Sequence, residues 1–330
     1  MKTNLIFGNG FIQNVRATGK LTSVHVPAML LVIFLMALFS LSCSRQSAPD
    51  DGLVIAVSIP PHAWFVSEIA GDKAWALVLV PPGQNPHTFE MTPRQLESLS
   101  SASAWIRCGL DFEISLLPRI APLFQNLLIV DGTEGVHFRL LESHAHKDEM
   151  HGEEDDDDDE GHGYSPSPLE IDRHTWLGRE PAKILAAHIR DVLSHLDYKN
   201  AEFYSERTDT LIREIDAVFD ELSAALAPLS GRSVFVYHPS FGYFFDEFGI
   251  YQEAVETGGS EPTPRQLSDL LDSIAEDNPA AIFVQMQFPV TAARTLADAV
   301  DAQLVELDPL AFDWLDNIRR MGYALQAAIR

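Results

Sequence analysis

The stretch Ala74–Leu99, AWALVLVPPGQNPHTFEMTPRQLESL, contains a strand, a proline-rich loop and the start of a helix in immediate succession. Its first seven residues are an apolar run of the kind that forms a buried strand. The ten residues Pro81–Glu90 include three prolines, a glycine and an asparagine, so they predict a loop. Thr92 suits a helix N-cap, and Pro93 suits the first helical position. His87 therefore lies in a rigid loop between a strand and a helix.

The same order of elements recurs along the chain. Six further apolar runs predict strands: Leu53–Ile59, Ala104–Arg107, Leu127–Val130, Ser233–His238, Ala280–Gln285 and Gln303–Leu307. Four other segments predict helices: Trp64–Ala70, Pro93–Ser100, Phe241–Gly249 and Trp314–Ile329. Strands that alternate with helices predict parallel sheets. Because 330 residues are enough for two domains, we expect an α/β fold with two Rossmann-like lobes.

The motif EMTPRQL, Glu90–Leu96, recurs as EPTPRQL, Glu261–Leu267, and each copy leads into a predicted helix. Two interpretations stay open, namely two related halves or two similar helix starts. Between the halves, Asn200–Leu229 carries apolar residues at helical spacing without a glycine, and Pro228 comes only at its end. A helix of this length is about 40 Å long. Such a rigid connector predicts that the two lobes move little relative to each other.

These features divide the chain into five segments: a targeting segment (1–43), a tether (44–52), an N-terminal α/β lobe (53–199), a linking helix (200–229) and a C-terminal α/β lobe (230–330). The N-terminal lobe includes an acidic, histidine-rich loop, 142–165. In the targeting segment, three basic residues and no acid precede an unbroken apolar run, Ala28–Leu41. Its fourteen residues are too few for a membrane span, which needs about 20, and they suit a signal peptide.

Cys43 ends this segment in the sequence Leu41-Ser42-Cys43, which resembles the lipobox of bacterial lipoproteins. In that interpretation Cys43 is acylated and anchors the protein to membrane lipid. The alternative is a plain signal peptide with an incidental cysteine. Either way, we expect an exported protein in the periplasm or at the cell surface. The other cysteine, Cys108, follows an apolar stretch, and we expect it in a buried strand.

The formal net charge of −25 argues against nucleic acid as a partner and favours cations. Glu142–His162 alone contains eleven acids, with the run EEDDDDDE at Glu153–Glu160. Adjacent like charges and few apolar residues predict that this loop is disordered. Its histidines form a weak trap for divalent cations: His144, His146, His151 and His162. A solvated spacer without a metal role is the alternative.

Four further residues of metal-ligand type lie where predicted elements begin or end. His87 follows a strand, His174 precedes a helix, His238 closes a strand and Asp308 follows one. Ligand sites of parallel sheets gather at the carboxyl ends of strands, so we expect these side chains to lie close together. Three imidazoles and one carboxylate suit a tetrahedral Zn²⁺, whereas Mn²⁺ and Mg²⁺ require more oxygen ligands.

Five blocks resemble, in this order, those of the zinc-specific solute-binding proteins of bacterial ABC transporters, in the cluster that also serves manganese: SIPPHAWFVSEIAGD, VLVPPGQNPHTFEMTPRQLESL, VFVYHPSFGYFFDEFGI, EPTPRQL and VELDPLA. The resemblance runs from about Leu53 to the C-terminus and is interrupted at the acidic loop. It implies a monomer that carries Zn²⁺ to a permease in the cytoplasmic membrane. It also implies four metal ligands between the two lobes: His87, His174, His238 and Asp308.

The third ligand position bears on the choice of metal. Manganese members of the family tend to carry a carboxylate there, so His238 favours zinc. A manganese or iron carrier and a zinc-binding surface adhesin stay alternatives. The sequence departs from the family around His174, with Asp172-Arg173-His174 in place of the usual Asp-Pro-His. Another departure is His62, which we expect either in the core or at the surface.

A zinc hydrolase is the competing class of function. It requires an open coordination position for water and a nearby base. The sequence contains no HExxH motif, and four protein ligands would close the coordination sphere, so we expect no enzyme. Asp308 distinguishes the two classes, because without it the fourth position is open. The sequence also lacks GxxxxGK[ST], so we expect another component to bind ATP.

Overall fold

The structure, a computed structural model, describes residues 52–141, 171–256, 271, 279–288 and 290–328. Several predictions concern residues outside these ranges: the targeting segment with Cys43, the tether as far as Asp51, the acidic loop with its four histidines, and the second motif copy, Glu261–Leu267. Among the described residues, no helix is long and apolar enough to cross a membrane.

The first lobe contains a four-stranded parallel sheet of order β2-β1-β3-β4. Its strands are β1 (Leu53–Val57), β2 (Ala74–Val78), β3 (Ala104–Arg107) and β4 (Leu128–Asp131). Its helices are α1 (Pro60–Ala70), α2 (Pro93–Leu99), α3 (Asp111–Ile120) and α4 (Arg179–Leu196). In β1, Ile55 and Val57 enter one hydrophobic cluster and Ala56 enters another, since successive side chains face opposite sides of a sheet. Both faces are therefore buried, as is usual for a parallel sheet.

The second lobe repeats this arrangement in a parallel sheet of order β6-β5-β7-β8. Its strands are β5 (Ser233–Val236), β6 (Tyr251–Ala254), β7 (Ala281–Val284) and β8 (Gln303–Glu306). After the connecting helix α5 (Ala201–Leu226), the helices of this lobe are α6 (Gly242–Asp246), α7 (Val290–Ala299) and α8 (Trp314–Ala328). Each predicted strand is present within two residues of its expected bounds. The α/β fold with two parallel-sheet lobes is confirmed.

One long helix joins the lobes, as the sequence predicted. Helix α5 (Ala201–Leu226) continues into a 3₁₀ turn at Ala227–Leu229. Its apolar side packs on α1 and α4 of the first lobe and on the C-terminal helix α8. A single hydrophobic cluster runs through both lobes, with buried members in β1, α1, α5, β5 and α8: Ile55, Phe65, Ile215, Val236 and Ile318. Because the lobes share this core, rotating one against the other would expose buried apolar surface.

Candidate metal centre

His87 lies on a 3₁₀ turn, Pro86–Thr88, that follows β2. The Asn85 side chain accepts a hydrogen bond from the His87 backbone N–H, at 2.9 Å. After the turn, the Thr92 side chain accepts from the Gln95 backbone and the Gln95 side chain accepts from the Thr92 backbone, which forms a capping box. These contacts are local in sequence, so the loop is in place before any ligand binds.

His174 lies just after the undescribed part of the first lobe and begins the 3₁₀ turn Thr175–Leu177. Asp172 Oδ1 accepts from the His174 backbone N–H at 2.9 Å and lies 2.8 Å from the ring Nδ1. Burial opposes ionisation of Asp172, but its hydrogen bonds to His174 and Arg139 leave its pKa below the ordinary value. Burial lowers the pKa of His174, so its ring is neutral near pH 7. The Nδ1 proton is therefore directed to Asp172, and the Nε2 lone pair faces the cavity.

His238 follows β5 in the second lobe. Its Nδ1 lies 2.9 Å from Glu256 Oε2, and its ring stacks on Phe288 with centroids 4.6 Å apart. Gln285 holds the backbone in both directions: its Oε1 accepts from His238 N and its Nε2 donates to His238 O. Burial, reinforced by the neighbouring His174 and His87, lowers the pKa of His238 well below its ordinary value.

The three histidines meet at their Nε2 atoms. His238 Nε2 lies 3.1 Å from His87 Nε2 and 3.3 Å from His174 Nε2. Their candidate ligand atoms all lie within 4.8 Å of one another. Ring nitrogens at these distances can share a proton, or, when none of them carries one, they can direct their lone pairs to a single cation. A tetrahedral ion with Zn–N bonds of about 2.0–2.1 Å places its ligand nitrogens about 3.3–3.4 Å apart, close to the observed separations.

Asp308 is placed differently from the three histidines. It follows β8, but among the described residues it is not part of the group within 4.8 Å. Its Oδ1 accepts from Gln287 Nε2 and from the Leu310 backbone N–H, both at 2.9 Å. The assignment of Asp308 as the fourth ligand stays a prediction.

The histidines line a cavity of about 20 Å³. Both lobes contribute to its walls, which include Asn85, Leu110, Trp176, Gln287, Pro309 and Leu310. A water molecule needs about 10–15 Å³ of such volume, so the cavity has space for one ion or about two water-sized ligands.

Two tryptophans connect the His174 turn to the loop that carries Asp308. Trp176 Nε1 donates to Pro309 O, and Trp314 Nε1 donates to Trp176 O, both at 2.7 Å. Asn317 adds a hydrogen bond from Nδ2 to the backbone oxygen of Asp308, at 2.6 Å. Hydrogen bonds from side chains to backbone oxygens therefore connect the cavity walls that the two lobes provide.

His62 and Cys108 lie away from the cavity wall. His62 is buried in α1, and neither of its ring nitrogens has a hydrogen-bond partner within the described part of the chain. Burial lowers the pKa of His62 to about 3. Cys108 is buried directly after β3, where burial and the adjacent Glu113 raise the pKa of its thiol.

The carboxylates behind the histidines were not predicted. Asp172 and Glu256 hold the Nδ1 atoms of His174 and His238, and Asp111 Oδ2 lies 3.7 Å from His87 Nδ1. Such partners fix the tautomer and orientation of a metal-binding histidine. Only Asp172 had a local signal, since an Asp two residues before a histidine can accept from its backbone.

Two lobes on a shared core, with a one-ion cavity lined by histidines from both, define a solute-binding protein for a metal ion. The family described as zinc-uptake complex component A, periplasmic (ZnuA), matches residues 55–328. The chain belongs to this family, so it is a component of zinc uptake through a metal ABC transporter. Both the expected family and the expected function are confirmed, and the family and fold are those of solute-binding transport proteins.

Individual relatives agree with this assignment. The high-affinity zinc uptake system protein ZnuA of Paracoccus denitrificans is 28% identical over 82% of this chain and 90% of its own length. A crystal structure of ZnuA matches 85% of this chain and 100% of its own, with a TM-score of 0.74 and 30% identity. A ZnuA deletion mutant solved with zinc bound matches 84% of this chain and 98% of its own, with a TM-score of 0.73 and 30% identity. The matches do not favour the manganese, iron or adhesin alternatives.

Proposed function

We propose that this protein captures Zn²⁺ outside the cytoplasmic membrane and passes it to an ABC permease. His87, His174 and His238 bind the ion through Nε2, and Asp308 supplies the fourth ligand. The observation that carries the proposal is the convergence of the three Nε2 atoms, with separations of 3.1 and 3.3 Å, in a cavity of about 20 Å³.

The ligand set favours zinc over manganese. Imidazole is a borderline ligand that suits Zn²⁺, whereas Mn²⁺ prefers carboxylate, carbonyl and water oxygens. Each ring meets a carboxylate on its Nδ1 side, which raises the basicity of the ligand nitrogen. The site is built to present three ring nitrogens to one ion.

Asp308 is suited to close the coordination sphere. Its loop continues into Pro309 and Leu310, which line the cavity. Both hydrogen bonds to its carboxylate, from Gln287 and Leu310, end on Oδ1. Oδ2 is therefore the atom that we assign to the ion.

The same geometry argues against a zinc hydrolase. Catalysis at zinc needs a coordination position for water and space for a substrate beside it. In the proposed site Asp308 would occupy the fourth position, so no coordination position would be left for a catalytic water. We therefore propose that the site captures and releases the ion without catalysis.

We place the protein on the outer side of the cytoplasmic membrane. The signal segment supports export, and an acylated Cys43 would keep the carrier near its permease. The acidic loop would add weaker metal sites through His144, His146, His151 and His162. A monomer suffices, because one chain provides all four proposed ligands.

The proposal is tested by the metal content of the exported protein after Zn²⁺ and Mn²⁺ are offered together. Mass spectrometry of metals should find one tightly held zinc, which His87→Ala and His238→Ala each remove. The control is His195→Ala, which removes an exposed histidine of α4 and should retain the zinc. A preference for manganese, or tight zinc retained in both cavity variants, would refute the assigned site.

A further inference from the structure

Arg139 lies at the centre of a network that reaches from His174 in the first lobe to helix α6 in the second. The described residues are interrupted between Leu141 and Ile171. The two segments that flank this interruption are paired with each other. Asp172 N donates to Arg139 O at 2.9 Å, and Leu140 forms an antiparallel bridge with Ile171. Arg139 and Asp172 are thus held side by side, although 32 residues separate them in sequence.

The Arg139 guanidinium joins two carboxylates. Nη1 lies 2.8 Å from Asp172 Oδ2, and Nε lies 2.8 Å from Asp246 Oδ2 on α6. The other oxygen of Asp172 is the one that holds His174 Nδ1, at 2.8 Å. An unbroken chain of hydrogen bonds therefore runs from the candidate ligand to the second lobe.

Helix α6 is shaped to receive this side chain. A Cβ added at Gly242 would overlap the Arg139 guanidinium, so a larger residue there would require the guanidinium to move. Tyr243, the next residue, accepts from the Arg139 backbone N–H and donates to the Asp172 backbone O, both at 3.1 Å. The Arg139 side chain is 13% exposed and Asp172 is fully buried, so solvent screens this pair weakly.

We propose that Arg139 is a positioning residue that latches His174 to the second lobe and thereby slows the release of zinc. This inference rests on the proposed function. The shared hydrophobic core opposes movement of whole lobes, so release requires displacement of a ligand-bearing segment. The segment with His174 must break the Arg139 contacts to Asp172 or Asp246 before it can move away. In the contacts described above, Arg139 reaches His174 through the carboxylate of Asp172.

The test is the rate of zinc dissociation from the full-length protein, measured by mixing with excess chelator. Loss of an outer partner of a metal-binding histidine costs about 10–100-fold in affinity, so Arg139→Gln should release zinc about tenfold faster. Gly242→Ala, which displaces the guanidinium, should act in the same direction. Asp246→Asn keeps the Asp172 contact and should give a smaller rise. Arg139→Lys should restore part of the effect, since lysine supplies charge without the planar fork.

Arg190→Gln is the matched control, because Arg190 pairs only locally with Asp191 on α4 among the contacts described. Its dissociation rate should equal that of the wild type. Asp246 is 54% exposed, so Asp246→Asn is the variant that retains the fold if Arg139→Gln does not. A wild-type rate in Asp246→Asn, or an equal rise in Arg190→Gln, would overturn the latch.

Thermal unfolding of the zinc-free variants separates the latch from general destabilisation. We expect Asp246→Asn and Arg190→Gln to have similar melting temperatures while only Asp246→Asn releases zinc faster. Dissociation rates that merely follow melting temperature would count against the latch. A wild-type protein without tight zinc would overturn the proposed function as well, whereas tight zinc with unaltered release in the variants would overturn the latch alone.

Discussion

His87 and His174 reach the same cavity from the same lobe, but they are held in different ways. His87 is fixed by its neighbours in sequence: Asn85 accepts a hydrogen bond from its backbone N–H, and a capped helix begins six residues later, at Pro93. His174 depends on Asp172, which depends on Arg139, which in turn contacts Asp246 in the other lobe. The first histidine is therefore a fixed point of the site, and the second is the one whose position the rest of the fold can control.

The largest effect should come from removing either ring. His87→Ala and His174→Ala each delete a proposed nitrogen ligand. Loss of a residue that only hydrogen-bonds a metal ligand lowers affinity about 10–100-fold, so each of these variants should lower zinc affinity by more than that. Competition with a chelator of known affinity measures this. If one of the two variants kept wild-type affinity, that histidine would not be a ligand, and the comparison between the supports of His87 and His174 would no longer concern the zinc site.

The next largest effect should separate the two kinds of support. Asp172→Asn removes the carboxylate that orients His174 and should lower zinc affinity about 10–100-fold. Asn85→Ala removes one hydrogen bond from a loop that prolines still constrain, so its loss should be less than about tenfold. The same competition assay applies to both. Equal losses would show that the two histidines are held in the same way.

A smaller effect concerns stability, at a histidine outside the site. His62 has a folded pKa of about 3, below the unfolded value of about 6.5. Between these values the unfolded state binds more protons, so the stabilising free energy present above about pH 6.5 is lost as pH falls toward the folded pKa. Between pH 6 and pH 5, zinc-free wild type should lose about 1 kcal/mol more than His62→Leu. Urea unfolding at the two pH values measures this difference, and parallel losses would contradict it.

The smallest effect on the tight site should come from deleting the acidic segment 142–165. None of the four proposed ligands lies within it, so the affinity of the tightest zinc should stay at the wild-type value. The deletion should remove the weaker zinc-binding sites. Titration calorimetry measures this as a smaller number of zinc ions bound per protein. Loss of the tight zinc would instead mean that the segment supplies a ligand or supports His174 directly.

The same contrast explains what the sequence could predict. Strands β1, β3 and β7 are apolar runs, and the loop of His87 is a local pattern of proline and capping residues, so both could be predicted. Strand β6 has the polar sequence YQEA and was missed. Its Gln252 is buried, and Gln252 Oε1 accepts a hydrogen bond from the Phe241 backbone N–H at 2.8 Å. Only the folded chain creates this contact.

The residues that orient His174 and His238 are also brought into contact only by folding. Arg139 and Asp246 are 107 residues apart, and His238 and Glu256 lie at the ends of neighbouring strands. No periodicity or spacing predicts such pairs, since they follow from how strands and helices pack. The resemblance to a family supplied the proposed ligand positions but not the residues that support their side chains.

The hydrophobic cluster shared by the lobes has a consequence for the proposed transfer of zinc to a permease. Since the lobes are bound by one core, we expect the loaded and empty proteins to have nearly the same outline. What changes on loading is the electric field at the mouth of the cavity, where two positive charges enter a protein of strongly negative net charge. A partner that must distinguish the two states is therefore offered a change in surface potential rather than a change in shape.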